Sequence, residues 1–326
     1  MKLKNIGCSL WDCVPAAENQ PKSDGLASSM RRTLLIFTGF VLFILAACQA
    51  ATPPSNSEIS EESGPRVLVM ESFLADIAQN IAGERLEIEV LIPPGSDPHT
   101  FQPTPQDVAK IADSDMLIAN GAGLEEWLQE VIDNAGGERL VIEAAQGIPS
   151  NPARPGDPHF WLDPNHVIHY ATQIRDGFIQ LDPDGEAIYV ENTNDYVAQL
   201  EALDIWISDQ VELISPERRL LVTNHESFGY FADRYGFVII GTIVPSVSTG
   251  SSPSAQQMVQ LVEAIKDSNT GAIFLESGAN PELAEQIAGE AGVVVIVDLR
   301  THAVSPQEGY IEMMKYNTQA IVEALK

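Results

Sequence analysis

Short apolar runs rich in β-branched residues alternate with helix-forming stretches along most of this chain, and this alternation constrains its fold more than any other feature. Four such runs lie within residues 66–143, and four more lie within residues 220–297. Alternation of strands with helices predicts parallel sheets that are covered by helices. Residues 184–214, between the two segments, contain no proline. We therefore predict an α/β fold with two lobes, each a mostly parallel sheet flanked by helices, joined by one long backbone helix.

The predicted boundaries follow from this pattern. The first lobe is expected at residues 65–183, the linking helix at residues 184–214 and the second lobe at residues 215–326. At 1.5 Å per residue, a helix of about thirty residues would be roughly 40–45 Å long, which is enough to cross both lobes. Such a helix should limit how far the lobes can open.

Residues 30–47 have the pattern of an export signal. A basic pair that begins at Arg31 precedes an apolar stretch, which is too short for a comfortable membrane span and ends in two alanines before Cys48. This ending resembles the lipobox of bacterial lipoproteins, in which the cysteine is lipidated and becomes the new N-terminus. We predict lipidation of Cys48 and a flexible tether at residues 48–64. We expect residues 1–29 to be an extension that arises from a mis-called start codon.

Charge and cysteine content narrow the class of protein. The formal net charge of −28 speaks against a nucleic-acid partner. The acidity would favour cations only weakly, because salt at physiological concentration screens charges over about 8 Å. Cys8 and Cys13 lie in the expected extension, so the chain after Cys48 contains no cysteine that could form a disulfide. Stability must therefore come from burial of apolar side chains in the core.

Three histidines stand where a strand runs into a loop or a loop runs into a helix. His99 and His159 each follow an Asp-Pro pair in a proline-rich loop, and His225 follows the predicted strand at residues 220–223. Proline fixes the backbone, so both loops should be stiff. Ligands of parallel sheets gather beyond the carboxyl ends of the strands. We therefore expect His99, His159 and His225 to share one ligand.

A fourth group completes the predicted site. Asp298 follows the predicted strand at residues 293–297, and so it should also lie at the carboxyl end of a sheet. Three imidazoles and one carboxylate suit Zn²⁺ in tetrahedral geometry. We predict that Asp298 is the fourth metal ligand.

Other polar groups have alternative interpretations. His166 and His169 are three residues apart on a predicted helix and could share a metal, although surface or packing roles are favoured. His302 could be a ligand or could support one, but exposure to solvent is the favoured interpretation. Asp97 and Glu226 each neighbour a predicted ligand, and either could orient an imidazole or simply be solvated.

Several phrases of the sequence resemble those of the zinc and manganese solute-binding family of ABC transporters, the cluster A-I substrate-binding lipoproteins. The matching phrases of the first lobe are Pro94-Gly95-Ser96-Asp97-Pro98-His99, Asn120-Gly121-Ala122-Gly123-Leu124-Glu125 and Asp157-Pro158-His159-Phe160-Trp161-Leu162-Asp163-Pro164. Those of the second lobe are Asn224-His225, Tyr235-Gly236, Pro253-Ser254 and Ile273-Phe274-Leu275-Glu276. Together they cover nearly the whole chain after Cys48.

The resemblance implies a function and a ligand set. Similar proteins bind one metal ion between two lobes, which implies His99, His159, His225 and Asp298 here, with no catalytic residues. Members with histidine at the position of His225 tend toward zinc, and members with glutamate there tend toward manganese, so Zn²⁺ is favoured over Mn²⁺ as the transported ligand. The resemblance further implies an extracytoplasmic, lipid-anchored protein that delivers its ion to an ABC permease. We expect it to be a monomer.

Two other functions remain open at this stage. Three imidazoles with an open fourth position could activate water, so an extracytoplasmic zinc hydrolase is the strongest alternative. No serine motif, carboxylate pair or phosphate-binding loop in the sequence supports it. A metal-binding adhesin is the second alternative, because resemblance to this family also permits that role.

Overall fold

The computed structural model describes residues 64–302, 304 and 308–326. The expected extension at residues 1–29, the signal peptide at residues 30–47, Cys48 and the tether up to residue 63 lie outside the described residues. Within the described part of the chain, no helix is both long enough and apolar enough to cross a membrane.

The first lobe is built on a parallel sheet of four strands in the order β2-β1-β3-β4. The strands are β1 (Val67–Val69), β2 (Ile88–Val90), β3 (Met116–Ala119) and β4 (Leu140–Glu143). The central strands β1 and β3 are buried along their whole length. Helices cover both faces of such a sheet, which is why these strands are continuous apolar runs without polar alternation.

Four helices flank this sheet, and their N-caps fix the ends of the two proline-rich loops. The helices are α1 (Ser72–Ala82), α2 (Pro105–Asp113), α3 (Leu128–Ala135) and α4 (Pro164–Leu181). Thr104 and Asp107 form a capping box at the start of α2. The Asp163 carboxylate accepts a hydrogen bond from the backbone N–H of Asn165 at the start of α4. The loops of His99 and His159 therefore end at well-defined points.

The long helix α5 (Glu186–Val211) contacts both lobes. Its 26 residues correspond to a length of about 39 Å. The buried side chains recur every three or four residues, from Tyr189 through Tyr196 and Leu203 to Val211, and they form one stripe. This stripe belongs to one continuous apolar core. The core includes Val69 of the first sheet and also strand residues of the second sheet. Wide separation of the lobes would therefore expose core side chains to water.

The second lobe repeats the architecture with a parallel sheet in the order β6-β5-β7-β8. Its strands are β5 (Leu220–Thr223), β6 (Val238–Thr242), β7 (Ala272–Glu276) and β8 (Val294–Leu299), and its helices are α6 (Gly229–Tyr235), α7 (Ala255–Ser268), α8 (Pro281–Ala291) and α9 (Tyr310–Leu325). The pairing of β7 with β8 shifts in register between Phe274 and Glu276. Strand β8 extends two residues beyond Val297, where the sequence had predicted its end.

The predicted fold class is confirmed. Both sheets are entirely parallel, each is flanked by helices, and one long helix connects them. The boundaries at residues 65–183, 184–214 and 215–326 remain predictions, although the two sheets and α5 fall within them.

Candidate metal centre

His99 lies in the loop that connects β2 to α2, which we call the His99 loop (residues 92–103). The backbone N–H of His99 donates to Oδ1 of Asp97 at 3.0 Å. The indole N–H of Trp127 donates to the carbonyl of Pro98 at 3.2 Å. The imidazole is held at the carboxyl end of the first sheet by the prolines, by these two hydrogen bonds and by the capping box at Thr104.

His159 is fully buried and is held by the aspartate two residues before it. Both its backbone N–H and its Nδ1 donate to Oδ1 of Asp157, at 3.0 and 2.8 Å. A short 3-10 turn at Phe160–Leu162 then leads to the capped start of α4. With Nδ1 protonated by this arrangement, Nε2 of His159 carries the free lone pair.

His225 follows β5 and is also fully buried. The Thr223 hydroxyl donates to the carbonyl of His225 at 2.8 Å and fixes the turn after the strand. Nδ1 of His225 lies 2.6 Å from Oε1 of Glu276, which is the last residue of β7. A carboxylate at Nδ1 again leaves Nε2 as the atom that can bind a metal.

The three predicted histidines meet a fourth between the lobes. Nε2 of His159 lies 3.2 Å from Nε2 of His99 and 3.1 Å from Nε2 of His225. His302 joins them, and one ligand atom from each of the four imidazoles lies within 4.8 Å of the others. A single ion could contact all four side chains, because Zn–N bonds are about 2.0–2.1 Å long.

His302 is not the solvent-exposed group that the sequence favoured. Only 11% of its side chain is exposed, and its Nε2 is buried with no hydrogen-bond partner among the described residues. Nδ1 of His302 lies 3.0 Å from the Thr301 hydroxyl, which donates to Oε2 of Glu276 at 2.6 Å. A buried nitrogen lone pair without a partner is costly, and a bound cation would satisfy it.

The structure does not bring Asp298 to this cluster. Asp298 is an exposed residue inside β8, and it has a positive φ of 77°. Its carboxylate accepts a hydrogen bond from the Ser277 hydroxyl at 2.7 Å. The prediction placed Asp298 beyond a strand that ends at Val297. Because β8 continues to Leu299, the loop that enters the site begins later and carries His302 in place of Asp298.

A family model described as "Zinc-uptake complex component A periplasmic" matches residues 67–324. This match covers both sheets, the long helix and all four clustered histidines. The chain belongs to this family. It is therefore a substrate-binding protein of a metal ABC transporter and not an enzyme, as the resemblance of its motifs implied.

The names of proteins that are similar to this chain refer to different metals. The manganese-binding lipoprotein MntA of Halalkalibacterium halodurans is 33% identical over 303 residues, which are 91% of this chain and 99% of that protein. The iron ABC transporter substrate-binding lipoprotein MtsA of Streptococcus pyogenes serotype M1 is 27% identical over 317 residues, with 90% and 99% covered. The structure of the periplasmic zinc binding protein TroA from Treponema pallidum is 30% identical, with a TM-score of 0.75, and covers 80% of this chain and 99% of that one.

Other histidines and acids of the chain lie outside the cluster. His169 is held by the carbonyl of Gln146 at 2.7 Å, and His166 contacts the carbonyl of Phe160 at 3.2 Å. Both are therefore engaged with backbone, and they are absent from the described group of clustered ligands. Glu226 is exposed to solvent, whereas Asp97 holds the backbone of His99.

Burial sets the protonation of the imidazoles. Burial lowers the pKa of His159 and His302 well below the usual range, and burial with the neighbouring charge of His225 lowers the pKa of His99 to about 4. These three rings are neutral at pH 7 and have free lone pairs. Burial disfavours the charged form of His225 as well, but Glu276 outweighs it and raises the pKa of His225. A metal ion would displace this proton.

Glu276 was part of a matched phrase, but the sequence did not indicate its role. Its carboxylate accepts from Nδ1 of His225, from the hydroxyl of Ser227 at 3.2 Å and from the hydroxyl of Thr301. Burial opposes its ionisation, yet the charge and hydrogen bond of His225 hold the pKa of Glu276 below its usual range. It is thus a buried anion that orients two imidazoles and offsets part of the charge of a divalent ion.

Glu276→Gln should therefore weaken metal binding without preventing folding. The glutamine keeps the shape of the side chain, but it removes the negative charge and one strong acceptor. Loss of such a supporting group typically costs 10–100-fold in metal affinity, and we expect about that loss here. Titration with zinc against a competing chelator would measure it. Glu282→Gln, an exposed acid at the start of α8, is the charge-matched control. Equal affinities for the two variants would contradict the role of Glu276.

Two buried acids lie in the core of the first lobe, near the loop that carries His159. Glu71 and Glu125 are neighbours in the core of the first lobe. Glu125 accepts from the backbone N–H groups of Asn120 and Gly121, and the Asn120 side chain donates to the carbonyl of Pro158 at 3.1 Å. Burial, and then the charge of Glu125, raise the pKa of Glu71 well above its usual range. Two neighbouring buried carboxyl groups do not both ionise readily, so Glu71 keeps its proton to a higher pH than an exposed glutamate does.

This pair predicts that stability falls as pH rises. Because its pKa is raised, folded Glu71 keeps its proton above pH ~4.5, where the unfolded chain has lost it. The free energy of unfolding therefore decreases as the pH rises toward the pKa of the folded state. Glu71→Gln cannot lose a proton, so we expect its stability relative to the wild type to be greater at pH 9 than at pH 5. Urea unfolding at both pH values measures this difference. Glu126→Gln, an exposed neighbour, is the control. A constant difference between wild type and Glu71→Gln at the two pH values would contradict the prediction.

Proposed function

We propose that this protein captures one divalent transition-metal ion, with Zn²⁺ favoured, through His99, His159, His225 and His302. The observation that supports this most strongly is the group of four ligand atoms within 4.8 Å of one another, drawn from loops of both lobes. Nδ1 of three of the rings is occupied by Asp157, Glu276 or Thr301, which leaves Nε2 of each ring for the ion. The proposed fourth ligand is His302 in place of Asp298.

The donor set is the reason to favour zinc. Four neutral imidazoles suit the tetrahedral habit of Zn²⁺, whereas Mn²⁺ is better served by oxygen ligands and a higher coordination number. The Irving–Williams order adds to the preference for zinc over manganese at nitrogen sites. The names of the relatives refer to manganese, iron and zinc, so they do not choose among these ions. The imidazole donors carry the proposal.

The charges around the cluster suit a divalent cation. Four neutral ligands leave the charge of the ion uncompensated, and burying such a charge is expensive. The buried carboxylates of Asp157 and Glu276 lie directly behind His159 and His225. They place negative charge next to the ion without coordinating it.

The four-histidine cluster also weighs against the zinc hydrolase considered from the sequence. A catalytic zinc ion keeps one position open for water, whereas a site with four protein ligands is closed. Membership of a transport family points in the same direction. No feature of the described residues specifically favours an adhesin.

Location and partners follow from the family and from the leader sequence. We propose that Cys48 carries a lipid, that the protein is an extracytoplasmic monomer anchored to the bacterial membrane at the cell surface or the periplasmic face, and that it delivers its ion to an ABC permease. MntA of Halalkalibacterium halodurans and MtsA of Streptococcus pyogenes are both lipoproteins by name. The shared core around α5 implies that release involves loop movement and small lobe displacement, because wide opening would expose apolar side chains.

Competitive loading tests the proposed function. The protein is purified without chelator, incubated with equal excesses of zinc and manganese, freed of unbound ions by gel filtration, and analysed for both elements. We expect close to one zinc per chain and little manganese. A metal content near zero would contradict metal capture, and a majority of manganese would contradict the preference for zinc.

A further inference from the structure

Buried contacts join the loop that carries His159 to the loop that carries His302. The indole N–H of Trp161 donates to the carbonyl of Thr301, and the hydroxyl of Tyr310 donates to the carbonyl of Trp161, both at 2.7 Å. Trp161 also stacks on Phe73, with ring centroids 4.6 Å apart. All three aromatic residues are buried. The side of the cluster that carries His159 and His302 is therefore part of the core and has little freedom to move.

The His99 loop lies on the opposite, more exposed side. The His99 side chain is only partly buried, whereas those of His159 and His225 are fully buried. Among the described residues, this loop is joined to the second lobe by one hydrogen bond, which the Thr249 hydroxyl donates to Oδ2 of Asp97. Thr249 lies in the loop between β6 and α7.

Asp97 connects this contact directly to the ligand. Its Oδ1 accepts the backbone N–H of His99, while its Oδ2 accepts the hydroxyl of Thr249. A cavity of about 440 Å³ lies on this side of the cluster, and Asp97, Thr249, Glu276 and His302 are among its lining residues. Residues of the His99 loop and of the loop of Thr249 both line this cavity, so the hydrogen bond between Asp97 and Thr249 lies in its wall.

We propose that Asp97 and Thr249 form a latch that keeps His99 over the bound ion and sets the rate of metal release. Neither side chain is among the four clustered ligands, so both act as positioning residues. The latch rests on the proposed function, because it requires that the four histidines bind a metal. In this account His99 is the first ligand to detach, while the other three keep their positions.

Loss of the latch should act mainly on the rate at which the metal dissociates. A hydrogen bond to a carboxylate is stronger than one between neutral groups, although partial exposure weakens it. The latch has to open before the ion can leave, so its loss should increase the off-rate. The Ser96 N–H bond to the carbonyl of Pro93 and the Trp127 bond to Pro98 would remain, so the loop would keep its shape.

The test follows zinc release by stopped flow, after mixing the zinc-loaded protein with excess chromophoric chelator. We expect Thr249→Val, which keeps the shape of the side chain but lacks the hydroxyl, to release zinc about tenfold faster than the wild type. Thr249→Ser restores a hydroxyl and should release zinc at nearly the wild-type rate. Ser252→Ala, a control in the same loop, should leave the rate unchanged.

A double-mutant cycle tests whether the two residues act as a pair. Asp97→Ala should also accelerate release, and adding Thr249→Val to it should have little further effect, because the shared contact is already lost. The melting temperature of metal-free Thr249→Val should be close to that of the wild type, because one partly exposed hydrogen bond contributes little to folding stability.

The outcomes separate the latch from the proposed function. If the wild-type protein binds no zinc, the proposed function is wrong. If it binds zinc but Thr249→Val releases it at the wild-type rate, the latch alone is wrong. Additive effects of the two substitutions, or a large loss of stability in metal-free Thr249→Val, would also contradict the latch, because either result would show that Thr249 acts by another route.

Discussion

His302→Ala should lower the affinity for zinc by about a hundredfold or more, while Asp298→Ala should leave it within about threefold of the wild type. Removing even a group that supports a ligand costs 10–100-fold in metal affinity, so loss of a direct ligand should cost at least as much. His302 contributes one of the four clustered ligand atoms. Asp298 is exposed and is held by Ser277. Zinc titration in competition with a chelator of known affinity measures both effects.

A control is needed because His302 also fills space between the lobes. His302→Gln keeps a polar side chain of similar size, and it should lose most of the affinity that His302→Ala loses. The metal-free melting temperatures of all three variants show whether folding is affected. A larger loss of affinity for Asp298→Ala than for His302→Ala would contradict the four-histidine site and would restore the ligand set that the sequence predicted.

His99→Glu should reduce the preference for zinc over manganese by about tenfold or more. A carboxylate in place of an imidazole adds an oxygen ligand, which favours Mn²⁺, and removes a nitrogen ligand, which zinc prefers. His99 is the best position for this exchange, because its side chain is partly exposed and a glutamate could be accommodated. His225 is less suitable, since its ring lies 2.6 Å from Glu276 and a glutamate there would face another carboxylate.

Direct competition between the two metals measures this change. Isothermal titration with manganese, repeated in the presence of zinc, gives the ratio of the two affinities at fixed pH, which must be held constant because protons compete for imidazole. His99→Ala controls for simple loss of a ligand and should weaken the binding of both metals. If His99→Glu keeps the wild-type ratio of affinities, the imidazole at this position does not contribute to metal preference.

Most of the fold could be predicted from residue patterns. The apolar runs that became β1 and β3 are continuous because helices bury both faces of a parallel sheet, and this signal is local to each run. The helix N-caps at Thr104 and Asp163 could also be predicted from the sequence, because a side-chain oxygen followed by proline is typical of a helix start. These features depend on a few consecutive residues, which is why the sequence was sufficient.

The candidate site was predictable only in part. His99, His159 and His225 could be grouped because each stands at a junction of elements, and the structure places them together. The exchange of Asp298 for His302 could not be predicted, since it depends on where β8 ends and on the register shift between β7 and β8. A strand that is two residues longer moves the next loop, and no local pattern distinguished the two endings.

The groups that support the ligands were harder still to predict. Glu276 is 51 residues from His225 in sequence, and the Asp97–Thr249 contact spans 152 residues. The first pair forms only when the second lobe has folded, and the second pair forms only when the two lobes are in their final arrangement. By contrast, Asp157 and His159 are two residues apart, and the role of Asp157 follows from that spacing once His159 is known to be buried.

A crystal structure of the zinc-loaded protein, with anomalous data collected at the zinc edge, tests the central claim most directly. We predict a single zinc peak between the lobes with Nε2 of His99, His159, His225 and His302 at about 2.0–2.1 Å from it. The Asp298 carboxylate should remain with Ser277 on the surface of β8. A zinc peak elsewhere, or one bound by Asp298 while His302 points away, would contradict the proposed site.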